Sequence, residues 1–208
     1  TDTFSGYYRM HGGREDWREL RGRWGKMAEL LQRYAGMEPA VSIKSLEGEM
    51  PPTEIARFDA GGIELVGLMR SYFLHDNETY TARIHFPRTS HLYDVRAAEY
   101  LGHADHCDRP LNYQAEVLAL SPYRVESVRV KSINSAVPGV PLILNSSVEA
   151  GAAEVTGHHV LRVTVTGPDG RELEWYAQNI LASTGRATIT VPLALNEVSG
   201  VHTSQVKD

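Results

Sequence analysis

The feature that most constrains this fold is a strict alternation of apolar and polar residues in two short runs, 161–166 and 187–191. Every second residue of each run is apolar: Leu161, Val163, Val165, Ala187, Ile189 and Val191. A side-chain period of two is the pattern of a strand with one buried and one solvated face. The sequence Gly167-Pro168-Asp169-Gly170 then favours a tight turn. Together these features predict antiparallel strands joined by short turns, as in a β-sandwich.

The composition excludes several classes of protein. The chain has 208 residues, of which 42% are hydrophobic, so it can bury a substantial core. Its net charge of −5 argues against a nucleic-acid partner. No apolar run approaches the roughly 20 residues that span a bilayer, so no membrane partner is expected. A single cysteine, Cys107, excludes an internal disulfide and leaves open whether the protein is secreted or cytoplasmic.

One amphipathic helix is predicted at residues 14–35. Its apolar residues recur at spacings of three and four: Trp17, Leu20, Trp24, Met27, Leu31 and Tyr34. Such a face needs a packing partner, and we expect both tryptophans in the core. From residue 39 onward the pattern is typical of strands, and Pro87 is expected to end one of them, because proline cannot donate to a sheet.

The sequence Ser121-Pro122-Tyr123 marks the predicted domain boundary. We therefore predict a mainly β chain with one N-terminal amphipathic helix and two β-sandwich modules. Residues 1–38 form the leading segment and helix, and residues 39–122 form the first β-sandwich. Residues 123–208 form the second, which is immunoglobulin- or fibronectin-like and contains about six strands.

The densest cluster of candidate metal ligands is His103, His106 and Cys107, with Asp105 and Asp108 beside them. Imidazole, thiolate and carboxylate all bind transition metals, but no second ligand pair follows at zinc-finger spacing. We predict a structural loop here and no metal or other cofactor, with a metal site as the alternative.

A second pair of histidines, His158 and His159, precedes a predicted strand and is expected to face solvent. Ser121 lacks the Gly-x-Ser-x-Gly context of a nucleophile, and no glycine-rich phosphate loop occurs. No catalytic residue is predicted.

Adjacent aromatic residues are the candidates for carbohydrate binding. Trp175 and Tyr176 would face opposite sides of a strand, so the exposed ring could stack on a sugar. Their polar neighbours are Arg171, Gln178 and Asn179. Two further pairs have the same spacing: Tyr7 with Tyr8, and Tyr72 with Phe73. The alternative is that the outer ring packs on a neighbouring domain.

Several segments of the sequence resemble segments of a known group of enzymes. The segments His91–Arg96, Tyr100–Gly102 and Leu118–Val125 resemble the C-terminal β region of large bacterial glycoside hydrolases. The nearest are the β-galactosidase-like enzymes related to glycoside hydrolase family 42. Residues 165–200 resemble the immunoglobulin-like sandwich appended in some members. The resemblance extends from the helix onward, and its motifs are structural.

The resemblance implies a non-catalytic role. In such hydrolases two carboxylates on a barrel carry the chemistry, and that barrel is missing from this sequence. We therefore expect a segment of a longer polypeptide that braces adjoining catalytic domains and binds carbohydrate weakly. One alternative is a metal-dependent enzyme that uses the His103–Asp108 cluster with His158 and His159. The other is a purely structural or homo-oligomer-forming module.

Overall fold

The computed structural model describes residues 17–36, 39–48, 53–70, 79–112 and 114–208. In this part of the chain the fold is mainly β with a single α-helix, which confirms the predicted fold class. No helix in these ranges is both long and apolar enough to cross a bilayer. The aromatic pairs Tyr7/Tyr8 and Tyr72/Phe73 lie outside the described residues.

Helix α1 spans Trp17–Ala35, within the predicted range, and residues 14–16 lie outside the described part. The predicted apolar face is exposed over its C-terminal half. The exposed fractions are 49% for Met27, 46% for Leu31 and 76% for Tyr34. The side chains of Trp17 and Trp24, which were expected in the core, lie outside the description.

Twelve strands follow the helix in the described chain. They are β1 (Ser42–Ser45), β2 (Thr53–Ala60), β3 (Ile63–Arg70), β4 (Tyr80–Asp94), β5 (Glu99–Leu111), β6 (Glu116–Ser121), β7 (Ser127–Ser132), β8 (Leu142–Glu149), β9 (His159–Thr166), β10 (Gln178–Ala182), β11 (Arg186–Val191) and β12 (Thr203–Lys207). Short 3-10 helices occupy Glu174–Tyr176 and Ser183–Gly185.

The chain divides into two compact units. The first contains the described residues up to Phe58 together with Leu65–Leu120. The second contains Asp59–Glu64 and Ser121–Asp208. Each unit buries its own set of apolar side chains.

The described strands of the first unit form one six-stranded sheet, where the sequence pattern predicted two facing sheets. The strand order is β1-β4-β6-β3-β2, and β5 pairs with β4. Strand β4 does not end at Pro87 as predicted. It continues to Asp94, and its register with β5 shifts between His85 and Ser90, so the proline lies at an irregularity where no ladder hydrogen bond is needed.

The prediction of a loop at residues 102–108 is wrong, because these residues belong to strand β5. Their polar side chains suggested a loop, yet β5 pairs with β4 over most of its length. Cross-strand pairing along β4 therefore outweighed the weak local preference of these residues for strand structure.

The second unit is a pair of three-stranded sheets, β10-β9-β12 and β11-β8-β7. Its six strands match the number expected from the sequence. The alternating residues of β9 and β11 face one shared core, in which Val163, Val165, Ile189 and Val191 are each at most 2% exposed. Both sheets contribute to this core, so they pack face to face as a sandwich.

Candidate functional site

Trp175 is the exposed member of the adjacent aromatic pair. It lies in the 3-10 helix Glu174–Tyr176 rather than in a strand, and 69% of its surface is exposed. Successive residues of a 3-10 helix point about 120° apart, so the two side chains leave the backbone in different directions, although their ring centroids are 5.9 Å apart with planes at 64°. Tyr176 therefore points inward and is only 3% exposed. Of the pair, Trp175 alone offers a ring to solvent.

Buried Tyr176 fixes this segment to the sandwich. Its ring belongs to the shared core, and its hydroxyl donates to the carboxylate of Glu197. The same hydroxyl accepts a hydrogen bond from the amide of Ala194 at 2.9 Å. The hydrogen bond from Tyr176 lowers the pKa of Glu197, with a smaller contribution from His202. Trp175 is thus held by an anchored neighbour, which limits the conformational entropy that a ligand would have to remove.

The three predicted polar neighbours do not form one cluster. Asn179 lies on the exposed side of β10, where its amide oxygen is 3.4 Å from Nη1 of Arg162 on β9. Gln178 instead donates from its amide to the carbonyl of Thr190 at 3.1 Å. Arg171 is fully outside these strands, in the turn beside Asp169, with 3.7 Å between Nε and Oδ2. Asn179 and Arg162 are therefore the polar pair that a ligand could contact on the exposed side of β9 and β10.

The exposed face of β9 and β10 also carries apolar side chains. Val160 and Leu181 are register partners and are 59% and 60% exposed. Together with Arg162 and Asn179 they define a mixed surface, which we call the β9–β10 face. The close approach of apolar and hydrogen-bonding groups is what a sugar ring, with its apolar faces and hydroxyl rim, requires.

A shallow concavity covers the other sheet of the second unit. Its volume is about 990 Å³, and its floor is the exposed side of β7, β8 and β11. The polar side chains of the floor include acidic Glu149 together with Arg129, Lys131, Asn145, Ser147, Arg186 and Thr188. No aromatic residue is among the residues that line it, so it can bind through hydrogen bonds and charge but not through stacking.

The predicted metal candidates point away from one another. Cys107 pairs with Ile84 and packs against the apolar core, whereas His103 and His106 lie on the exposed side of β5. Burial raises the pKa of the Cys107 thiol to about 11, which keeps the sulfur protonated and a poor ligand near neutral pH. No group of three or more histidine, cysteine or acidic side chains in the described ranges is arranged to hold a metal.

The expectation that His158 and His159 both face solvent is wrong for His159. His158 is exposed, but His159 is 5% exposed and joins a buried hydrogen-bond chain. Its Nε2 lies 2.9 Å from the hydroxyl of Tyr123, and its Nδ1 lies 2.7 Å from Oδ2 of Asp208. Alternation along β9 turns the two rings to opposite sides. Sequence reasoning missed this series of hydrogen bonds, because Tyr123, His159 and Asp208 are far apart in sequence.

Comparisons of the chain with protein-family models, with curated proteins and with solved structures find no match.

Proposed function

We propose that this chain is a non-catalytic accessory region of a glycoside hydrolase, which braces adjoining catalytic domains and binds carbohydrate weakly. The observation that carries the binding part is the exposure of Trp175, 69%, on a segment anchored by buried Tyr176. The accessory part is supported by the resemblance of His91–Arg96, Tyr100–Gly102, Leu118–Val125 and residues 165–200 to the C-terminal region of family 42-like enzymes.

The proposed binding mode combines the exposed ring of Trp175 with the hydrogen-bonding groups of the β9–β10 face. A sugar would stack on the ring of Trp175, while Asn179 and Arg162 offer hydrogen bonds on the exposed side of β9 and β10. The surface is open and carries few polar groups, so affinity is modest. Such binding would hold a polysaccharide near a catalytic domain without contributing chemistry.

The carbohydrate proposal predicts a defined effect of Trp175→Ala. In gel electrophoresis through galactan, xylan and mannan, the wild-type chain should be retarded by at least one polysaccharide. Loss of the ring should weaken that binding on the order of tenfold or more, because covering an aromatic side chain is worth about 1.5–3 kcal/mol. Titration calorimetry with oligosaccharides gives the dissociation constant.

A matched control separates stacking at Trp175 from general loss of apolar surface. Phe58→Ala removes another exposed aromatic ring, 62% exposed, from strand β2 and should leave retardation unchanged. An Arg186→Ala variant tests the concavity instead. Retardation by none of the polysaccharides, or a loss in Arg186→Ala with none in Trp175→Ala, would contradict the proposed site.

The accessory part has its own test. The coding sequence upstream of Thr1 should encode a catalytic barrel, and an unrelated sequence there would contradict the parent-enzyme assignment without bearing on sugar binding.

The exposed apolar side chains of α1 favour a second candidate, a structural or oligomer-forming module. Met27, Leu31 and Tyr34 remain 46–76% exposed on one helix face. Light scattering distinguishes this candidate: a dimer or trimer that dissociates in a Leu31→Glu variant supports it, and a monomer at all concentrations excludes self-association through this face.

A further inference from the structure

Four histidines lie on the exposed side of the paired strands β4 and β5 of the six-stranded sheet, which we call the β4–β5 ribbon, and they form two cross-strand pairs. His85 is the register partner of His106, and His91 is the register partner of His103. The ring centroids of the first pair are 5.7 Å apart with planes tilted by 34°. Those of the second pair are stacked at 4.3 Å and 21°. Both pairs are created by the register of the ribbon, and neither is visible from spacing along the chain.

The separation of His85 and His106 suits two imidazoles that share a metal ion. A zinc–nitrogen bond is about 2.0–2.1 Å, which places each ring centroid about 3.2 Å from the metal. Two rings at a tetrahedral angle then have centroids about 5.2 Å apart. The observed 5.7 Å is within a small side-chain rotation of this value. The stacked rings of His91 and His103 are nearly parallel, so their nitrogen lone pairs do not converge.

The tautomer of His106 is set by Asp105. Nδ1 of His106 is 2.8 Å from Oδ1 of Asp105, and an ionised carboxylate can only accept a hydrogen bond. Nδ1 therefore carries the proton when the ring is neutral, and Nε2 keeps its lone pair. A carboxylate behind a histidine in this way is the usual second partner of a metal-binding imidazole.

The negative charge of Asp105 can balance a bound cation, because the other carboxylate near the pair is already held by an arginine. Asp108 is already held by Arg83 through two hydrogen bonds of 2.7 and 2.8 Å. On the other side of β4, strand β1 places Ser42 opposite His85 and Lys44 opposite Arg83. The row that contains His85 and His106 thus has no cationic register partner in the described residues.

We propose that His85 and His106 form a two-histidine site for a divalent transition-metal ion, with Asp105 as the positioning carboxylate. This inference is independent of carbohydrate binding. Water completes the coordination, because the described residues around the pair supply no third ligand. Such an open site holds an exchangeable ion and follows the general order in which Cu²⁺ binds more tightly than Zn²⁺.

Titration calorimetry of the whole chain with zinc sulfate at pH 7.5 tests the site. His85→Ala and His106→Ala should each weaken zinc binding by more than about tenfold, and Asp105→Ala should weaken it by about 10–100-fold. His91→Ala and His103→Ala are the matched controls from the second pair and should bind zinc as the wild type does.

A second measurement uses no variant and so does not depend on variant folding. The electron paramagnetic resonance spectrum of the wild-type chain with one equivalent of Cu²⁺ should show coupling to two imidazole nitrogens. Magnesium, which prefers oxygen ligands, should not bind at the pair. Wild-type protein that binds neither zinc nor copper would overturn the proposal. Unchanged zinc affinity in a folded His85→Ala/His106→Ala variant would also overturn it.

Discussion

At the scale of single residues, buried polar groups connect distant parts of the second unit. The hydroxyl of Tyr123 accepts a hydrogen bond from the amide of Gly157 at 2.9 Å and contacts Nε2 of His159. Since Asp208 accepts from Nδ1 of the same ring, Nε2 is the acceptor and the Tyr123 hydroxyl is its donor. Burial raises the pKa of Tyr123, so the phenol keeps the proton that it donates. The hydroxyl of Tyr123 and both ring nitrogens of His159 thus have hydrogen-bond partners inside the protein.

Replacement of Tyr123 by phenylalanine should destabilise the protein. The variant keeps the ring but leaves the Gly157 amide without its acceptor and the buried His159 without its donor. Leaving buried groups unpaired costs about 1–3 kcal/mol. Urea unfolding followed by circular dichroism measures this change. Tyr34→Phe, at a position 76% exposed, should have no measurable effect, and equal midpoints for wild type and Tyr123→Phe would contradict the expectation.

At the scale of elements, the β4–β5 ribbon contains two ion pairs in very different surroundings. Arg83 and Asp108 pair on the exposed side, with side chains about two-fifths exposed. On the opposite side, Arg109 contacts Asp94 and lies 3.3 Å from Glu116, and the Asp94 side chain is only 4% exposed. Asp94 also accepts from the amides of Arg96 and Ala97, so it caps the turn that joins the two strands.

The two pairs predict very different costs of losing an arginine. Arg109→Met leaves the carboxylates of Asp94 and Glu116 without their arginine partner and should lower the free energy of unfolding by about 3 kcal/mol at pH 7. Arg83→Met breaks an exposed pair and should cost less than about 1 kcal/mol. Urea unfolding of both variants provides the comparison. Similar costs for the two variants would refute this ranking.

The ribbon also shows where prediction from sequence failed. Residues 102–108 were expected to form a loop, because glycine, histidine and aspartate are weak strand formers. Their structure depends on the long partner strand β4, which supplies hydrogen bonds from outside the segment. The pairing of His85 with His106 lies directly beside the register irregularity between His85 and Ser90, and no local pattern specifies such a register.

At the scale of the whole molecule, the second unit depends on one core shared by two sheets. Leu144 and Ile189 come from one sheet, and Val163 and Val165 come from the other. The side chain of Ile189 is fully buried among them. Removal of its atoms would therefore leave a cavity between the sheets, with loss of contacts to both.

Ile189→Ala should lower the free energy of unfolding of the second unit by about 2–5 kcal/mol. Amide hydrogen exchange should then be faster in β8, β9 and β11 together, since these strands surround the cavity. The neighbouring Thr190→Ala, on the exposed side of the same strand, should change stability by less than about 0.5 kcal/mol. Faster exchange confined to β11 would show that the two sheets do not share a core.

The sequence by itself determined the mainly β class, the inward-facing residues of β9 and β11, and the helix that begins the described chain. These features depend on local periodicity, since a period of two or 3.6 assigns each residue to a face. The tertiary structure decided which members of adjacent pairs are buried, as with Tyr176 beneath Trp175 and His159 beside His158. It also decided that His106 meets His85 across β4 and β5. These outcomes depend on strand register and on packing between sheets, which act between residues distant in sequence.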